Sequence, residues 1–359
     1  MKTVLLAIEY PPAIGGVENY YGNLHKYWPD EIITVDNSQN QLLKKSGPLK
    51  WRAALLTVFR LCRQARPDWI IAGEILPLGT VSWLLSYFFP FRYAVVLHGY
   101  DFSLAIKGSR KRFLTKAIIK RAGLVVCANS YTAVLVQNFL PQQKKIAVIN
   151  PGVEIKAKPS SEEIIAWREK YNLQNYPFIL TVARLVERKG IDRVIAAMPT
   201  IINRYPDFRY VIIGGGSDEE RIKKLIQRSG VTDNIMLLNN LDDQARDLAL
   251  AACDIFVLTA RNMGGDYEGF GIVYLEAGAF TKAVVAGLSG GVGDAVEDGY
   301  NGLRVDEENS SLIAETLIKL IDDENLRRRL GQNGLEKARR SEWSQRVKAF
   351  YQALKNHLD

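Results

Sequence analysis

Short apolar runs recur along this chain and alternate with longer stretches whose apolar positions return every three or four residues. The runs at 3–9, 31–35, 69–73, 93–97, 124–128 and 146–149 read as buried strands; 17–24, 49–66, 78–89 and 107–121 read as helices. The polar stretch 37–48 reads as a mobile loop. The rhythm pauses at 154–161, which has linker composition, and restarts after a helix at 162–171. Strands are expected next at 178–182, 210–213, 235–238, 254–258, 283–286 and 302–305. Helices are expected at 190–205, from the glycines 214–216 through 230, at 243–251, and from 311 onward. Strands alternating with helices imply a parallel sheet wrapped on both faces. The fold class expected is therefore α/β, with two doubly wound, Rossmann-like domains facing across a cleft. The first spans 1–156 and is joined by the C-terminal helix, about 343–359; the second spans 157–342. Ligands of such sheets bind at the carboxyl ends of the strands.

One stretch, 264–287, concentrates the candidate chemistry: a glycine-broken loop, one amphipathic helix, then a short buried strand. Gly269 and Gly271 flank Phe270, so the backbone can turn and come close to a ligand with no Cβ in the way. The helix is expected to start near Ile272, with free N–H groups and its positive dipole end turned to the ligand, an arrangement suited to phosphate. Glu268 on the loop and Glu276 about one turn into the helix are placed to meet hydroxyl groups. Taken singly, each could be an ordinary surface carboxylate; with the glycines they point to a ligand carrying sugar and phosphate together.

Other candidates follow from position. Arg184 and Lys189 succeed the first strand of the second domain and could clamp a diphosphate. The pair Gly15-Gly16 lies between a strand and a helix, a weak phosphate-approach signal on its own. His98, followed by Gly99 and Asp101, ends a strand; alone it could equally be a satisfied core histidine.

Composition narrows the class. The 359 residues are 47% hydrophobic and 24% charged, as in ordinary globular proteins, and exceed what one core usually supports. The N-terminus reads as a first strand rather than a signal segment, and the apolar region 75–91, broken by Pro77 and Pro90, falls short of a membrane span. A cytoplasmic location is expected. Cys62, Cys127 and Cys253 form no metal-binding spacing, and the histidines at 25, 98 and 357 are scattered, so no metal site is expected. No Asp-x-Asp occurs, which removes the usual carboxylate pair for a metal-bound diphosphate. The net charge of +8 is uneven: residues 1–160 hold 21 Lys+Arg against 9 Asp+Glu, and the remainder 26 against 30. The basic stretch 107–121 and the arginines of 52–66 share a domain with the aromatics of 83–91. A solvated face is the plain reading. Cations beside aromatics also suit the anionic inner face of a membrane, and no nucleic-acid motif accompanies them.

Taken together the motifs resemble a known family. Glu268-Gly269-Phe270-Gly271-Ile272-Val273-Tyr274-Leu275-Glu276 is similar to the glutamate–seven–glutamate motif of retaining glycosyltransferases of family 4, which have the GT-B fold. The resemblance extends to 15–18, 98–99, 150–153, 184–190, 213–216 and 299–302. It implies that Arg184 and Lys189 bind the nucleotide diphosphate, that Glu276 holds the ribose, and that Glu268 holds the transferred sugar. It places His98 beside that sugar, the N–H groups of Phe270, Gly271 and Ile272 toward sugar and phosphate, and Gly15 and Gly16 on the facing domain. Residues 261–277 and 289–296 look closest to GDP-mannose-dependent phosphatidylinositol mannosyltransferases, although Gly293-Asp294 stands where Pro-Glu is common. The expected activity is metal-independent transfer of a hexosyl group, mannosyl from GDP-mannose above a UDP-sugar, to a glycan or lipid-linked acceptor. No cofactor is expected beyond the donor substrate. A non-catalytic two-domain sugar-binding protein and a sugar-nucleotide epimerase are the competing readings.

Overall fold

The computed structural model describes residues 1–13, 15–44, 50–239 and 241–357. Residues 45–49, part of the expected loop 37–48 and the start of the helix expected from 49, lie outside the described residues, as do the last two of the chain. The chain forms two compact units: Met1–Gly152 with Trp343–Asp359, and Val153–Glu342.

The first unit is built on a six-stranded parallel sheet: β1 (Thr3–Leu6), β2 (Ile32–Val35), β3 (Trp69–Ala72), β4 (Arg92–Leu97), β5 (Leu124–Cys127) and β6 (Ile146–Val148). Their order across the sheet is β2-β1-β3-β4-β5-β6. Val4, Leu6, Ile70, Ala72, Val95, Leu97 and Val125 are fully buried, as strands covered on both faces must be. The helix Trp343–Lys355 belongs to this unit; Trp343 meets Tyr20 edge-on at 5.7 Å and Phe350 meets Trp28 at 5.9 Å. The single helix expected at 78–89 is instead a short π-type turn, Ile75–Gly79, followed by Thr80–Leu85 and a run of turns. The helix expected at 107–121 is present as Ser109–Arg121, and a further short helix that the spacing did not suggest, Tyr100–Ala105, precedes it, with Gly108 at φ +83° between them.

The second sheet comprises β7 (Phe178–Val182), β8 (Arg209–Ile213), β9 (Ile235–Leu238), β10 (Ile255–Leu258), β11 (Ala283–Gly287) and β12 (Leu303–Val305), ordered β12-β11-β10-β7-β8-β9. All its pairings are parallel. Alternation along each strand feeds two cores: Leu180, Phe256 and Leu258 point to one, Ile179, Ile255 and Val257 to the other. The order in which strands are added reverses between β7 and β10, the point where open α/β sheets leave a crevice for ligands. In the first sheet the corresponding point lies between β1 and β3.

The helix Ile272–Ala279 departs from its expected amphipathic character. None of its residues is exposed. One side packs so closely on the helix Glu324–Arg339 that a Cβ on Gly278 would stand 2.8 Å from the Gly334 carbonyl oxygen. On the other side the Tyr274 hydroxyl donates to the Leu258 carbonyl at 2.7 Å.

A candidate nucleotide-sugar site at the switch point of the second sheet

The loops after β7 and β10 interlock through their backbones. Gly190 adopts φ +68°, and a Cβ there would stand 2.0 Å from the Thr259 carbonyl oxygen, so only glycine fits. The Thr259 hydroxyl donates to the Gly190 carbonyl at 3.1 Å, and the Arg261 N–H donates to the Arg188 carbonyl at 2.8 Å. Arg261 is itself buried and donates to both carboxylate oxygens of Asp192 at 3.1 Å. On the other flank the glycine loop after β8 rests on the β7 loop: the Leu185 N–H donates to the Gly215 carbonyl at 2.9 Å.

This frame brings Lys189 and Glu268 together. Glu268 is 8% exposed, and its Oε2 accepts from Lys189 Nζ at 2.5 Å and from Arg188 at 3.0 Å. Burial opposes its ionisation, but the two cations outweigh burial and hold its carboxyl below the usual range. Arg188 also pairs through Nε with Asp266 at 3.0 Å, which ties the loop 262–267 to the same cluster. That loop closes on itself: Met263 and Asp266 exchange backbone hydrogen bonds of 2.8 and 3.2 Å. Arg188 was not singled out from the sequence. Beside Lys189 it carries the same charge, and only the fold distinguishes the two.

Arg184 differs from Lys189. It is exposed, and among the described residues its side chain has no hydrogen-bond or ion-pair partner. A guanidinium left unpaired next to the reversal point is a free cation for a phosphate.

The helix Ile272–Ala279 has Gly271 at its N-cap, at φ +79°, with no side-chain cap and no acidic residue in its first turn. Among the described residues the N–H groups of Phe270, Gly271 and Ile272 meet no acceptor. The Phe270 ring is buried in the core, so it is the backbone of this segment that is offered outward. Glu276 opens the second turn of the helix. Its Oε1 accepts from Arg246 at 3.5 Å, its Oε2 has no partner among the described residues, and burial raises its carboxyl against the pull of Arg246.

In the first unit, Gly15 and Gly16 stand at the start of the helix Gly16–Lys26, Gly15 in an extended conformation and Gly16 with nothing within 4 Å of a built Cβ. His98 follows β4, and its Nε2 lies 2.8 Å from the Tyr21 hydroxyl. That hydroxyl donates to the Gly73 carbonyl, which can only accept. The proton between ring and hydroxyl therefore sits on Nε2, leaving Nδ1 as an acceptor. Burial lowers the imidazole to about 4, so it is neutral at physiological pH. Asp101 accepts the backbone N–H groups of His98 and Gly99 at 3.0 and 2.8 Å and so fixes the turn that carries the ring. Among the described residues no three His, Cys, Asp or Glu side chains are grouped to hold a metal ion.

Residues 163–337, nearly all of the second unit, match the family model of the glycosyl transferases group 1. The second unit belongs to that family. Among relatives of the chain is the GDP-mannose-dependent monoacylated alpha-(1-6)-phosphatidylinositol monomannoside mannosyltransferase of Corynebacterium glutamicum, 28% identical over 96% of this chain and 94% of the relative. The GDP-mannose-dependent alpha-(1-6)-phosphatidylinositol monomannoside mannosyltransferase of Mycobacterium tuberculosis is 30% identical over 62% of this chain and 60% of its own. Among solved structures, Anabaena Alr3699/HepE in complex with UDP superposes with a TM-score of 0.85 at 19% identity, covering 99% of this chain and 100% of that one. The chain thus has the GT-B fold, with one Rossmann-like sheet in each unit.

Proposed function

We propose that this glycosyltransferase moves a mannosyl group from GDP-mannose, with retention of configuration, to a glycan or lipid-linked acceptor. The observation that carries the reading is the convergence at the β7/β10 reversal of the unpaired Arg184, the Lys189–Glu268 pair and the uncapped helix N-terminus at Ile272. On this reading the second unit, 153–342, takes the nucleotide sugar and the first takes the acceptor. Arg184 and Lys189 meet the diphosphate, and Glu276 receives the ribose hydroxyls. As the glycosidic bond breaks, negative charge grows on the departing diphosphate; the two cations and the helix N-terminus are aimed at that charge. They take the part a metal ion plays elsewhere, in keeping with the missing Asp-x-Asp. Glu268, ionised and held by its two cations, accepts hydroxyls of the transferred sugar. His98 offers Nδ1 to a hydroxyl in the first unit. Attack is assigned to the face the leaving group departs from, since no nucleophile is evident for a covalent intermediate.

GDP-mannose rests on the names of the two mannosyltransferase relatives, both GDP-mannose-dependent. A UDP-sugar is the second reading, favoured by the UDP complex of the Anabaena neighbour. We also assign peripheral contact with an anionic membrane to the basic and aromatic face of the first unit. There the helix Ser109–Arg121 exposes Arg110, Lys111, Arg112, Lys116 and Lys120, and Phe88 and Phe113 are 78% and 77% exposed. No helix among the described residues is long and apolar enough to cross a membrane.

The test is a panel of GDP- and UDP-sugars, read by thermal shift and by release of free nucleotide with candidate acceptors. Turnover with GDP-mannose above all others supports the reading. No turnover with any donor would sink it in favour of a binding protein, and a modified free sugar without acceptor would favour an epimerase. In the same assay Glu276→Ala should weaken GDP binding by about 10-fold, the loss of a charge-assisted hydrogen bond; unchanged affinity would remove its ribose role.

A further inference from the structure

The helix Asp243–Ala252 carries a cation that the transfer reaction as proposed leaves unused. Arg246, a quarter exposed, lies among three carboxylates, with its guanidinium 3.5 Å from Glu276 Oε1, 3.3 Å from Asp243 and 3.7 Å from Asp247. Its Nε is buried without a partner, so the group is not locked into a bidentate pair with any of them. The start of its helix is fixed: the Asp242 side chain accepts the Ala245 N–H at 2.7 Å. Asp247 is held in turn by Lys156 at 2.5 Å. Glu276 thus has one oxygen turned to Arg246 and the other, Oε2, without a partner among the described residues.

We infer that Arg246 is a positioning residue for nucleotide recognition: it anchors Oε1 of Glu276 so that Oε2 is presented, ionised, to a vicinal diol. The inference rests on the ribose role proposed for Glu276. A buried carboxylate with no cation would take up a proton, and a carboxylic acid cannot accept from two hydroxyls as a carboxylate does. The charged groups facing Glu276 are Asp243, Arg246 and Asp247 of the one helix and Lys156 from the chain ahead of the helix Ser161–Lys170. The two aspartates push its carboxyl up and the two cations pull it down, with burial the largest influence and upward. Arg246 is the cation in contact; Lys156 is engaged by Asp247.

The experiment compares GDP with 2′,3′-dideoxy-GDP by calorimetry from pH 5 to 9 in the full chain, reading the ratio of the two dissociation constants. Phosphate titration is common to both ligands and cancels in the ratio. In the parent protein the ratio favours GDP and declines toward low pH. In Arg246→Met the midpoint of that decline should move up by about one pH unit or more, the effect of removing an opposite charge at this distance. Arg246→Lys should hold it near the parent's. Arg246→Gln gives the same reading should the methionine variant fold poorly. An unmoved midpoint in both neutral variants overturns the inference, and so does an equal loss of affinity for the two nucleotides, which would put Arg246 on the phosphates or base. A parent protein that does not discriminate the two nucleotides overturns the ribose role of Glu276 itself, and the inference with it.

Discussion

Lys189 and Glu268 share a contact of 2.5 Å from Nζ to Oε2, and Arg188 approaches the same oxygen to 3.0 Å. A carboxylate 8% exposed would not stay ionised alone; two cations make it so. The group assigned to the sugar and a group assigned to the diphosphate are therefore one electrostatic unit. Whatever draws Lys189 toward phosphate leaves Arg188 as the remaining support of Glu268.

Arg188→Met should therefore act on turnover. With one of its two cations gone, the Glu268 carboxyl rises, and the acid limb of the pH–kcat profile moves to higher pH. At neutral pH kcat should fall about 10-fold or more while the KM for the donor changes little, the pattern for a group that matters in the transition state. Arg188→Lys should restore most of the loss. Steady-state kinetics across pH decides, and an unmoved acid limb would detach Arg188 from Glu268's role.

Arg184→Ala separates chemistry from folding. The side chain is exposed and unpartnered among the described residues, so its removal should leave Tm within about a degree. Turnover should fall by roughly 10²-fold or more if it stabilises the departing diphosphate. Equal turnover in parent and variant would leave Arg184 without a role.

The first unit has its own pH dependence. Burial, then the charges of Glu9 and Asp101, raise the Glu74 carboxyl from its ordinary 4.5 to about 8. The folded protein thus keeps a proton that the unfolded chain gives up between those values, and stability falls as pH rises through that window, levelling above it. Glu74→Gln removes the loss. Its Tm should match the parent's near pH 4.5 and exceed it by a few degrees at pH 8 and above, on the order of 2 kcal/mol once solvent near a half-buried group is allowed for. A constant difference across the range would mean the carboxyl titrates normally.

Vesicles of anionic phospholipid test the basic face. Co-sedimentation at low salt should weaken as salt rises from about 0.05 to 0.5 M, because the screening length shrinks below the reach of the charges. A Phe88→Ser variant should lower binding at every salt concentration through lost apolar insertion. Equal recovery with neutral and anionic vesicles would return this face to a merely solvated one.

Much of this architecture was legible because buried parallel strands are nearly continuous apolar runs: Trp69–Ala72 and Phe178–Val182 stand close to where their composition placed them. The glycine before Ile272 was legible because the tight turn between Glu268 and the helix that carries Glu276 needs a residue free to take positive φ. That helix misled in one respect. Its apolar spacing read as a single buried stripe, whereas Gly278 lets a second helix close over another side. Arg188 and Arg246 were not legible: both sit in locally basic or mixed-charge sequence, and their partners Glu268 and Glu276 are supplied by a loop and a helix far along the chain. Local pattern carries no record of such pairings.

The return of Trp343–Lys355 to the first unit has a consequence for the order of assembly. Tyr20 and Trp28, made early in synthesis, are covered by Trp343 and Phe350, made some 300 residues later. During translation the second unit, continuous in sequence, can complete its core first, while the first waits with an aromatic face bare to its surroundings. A ribosome stalled before the final helix would release a protein whose second unit is whole and whose first is a client for chaperones.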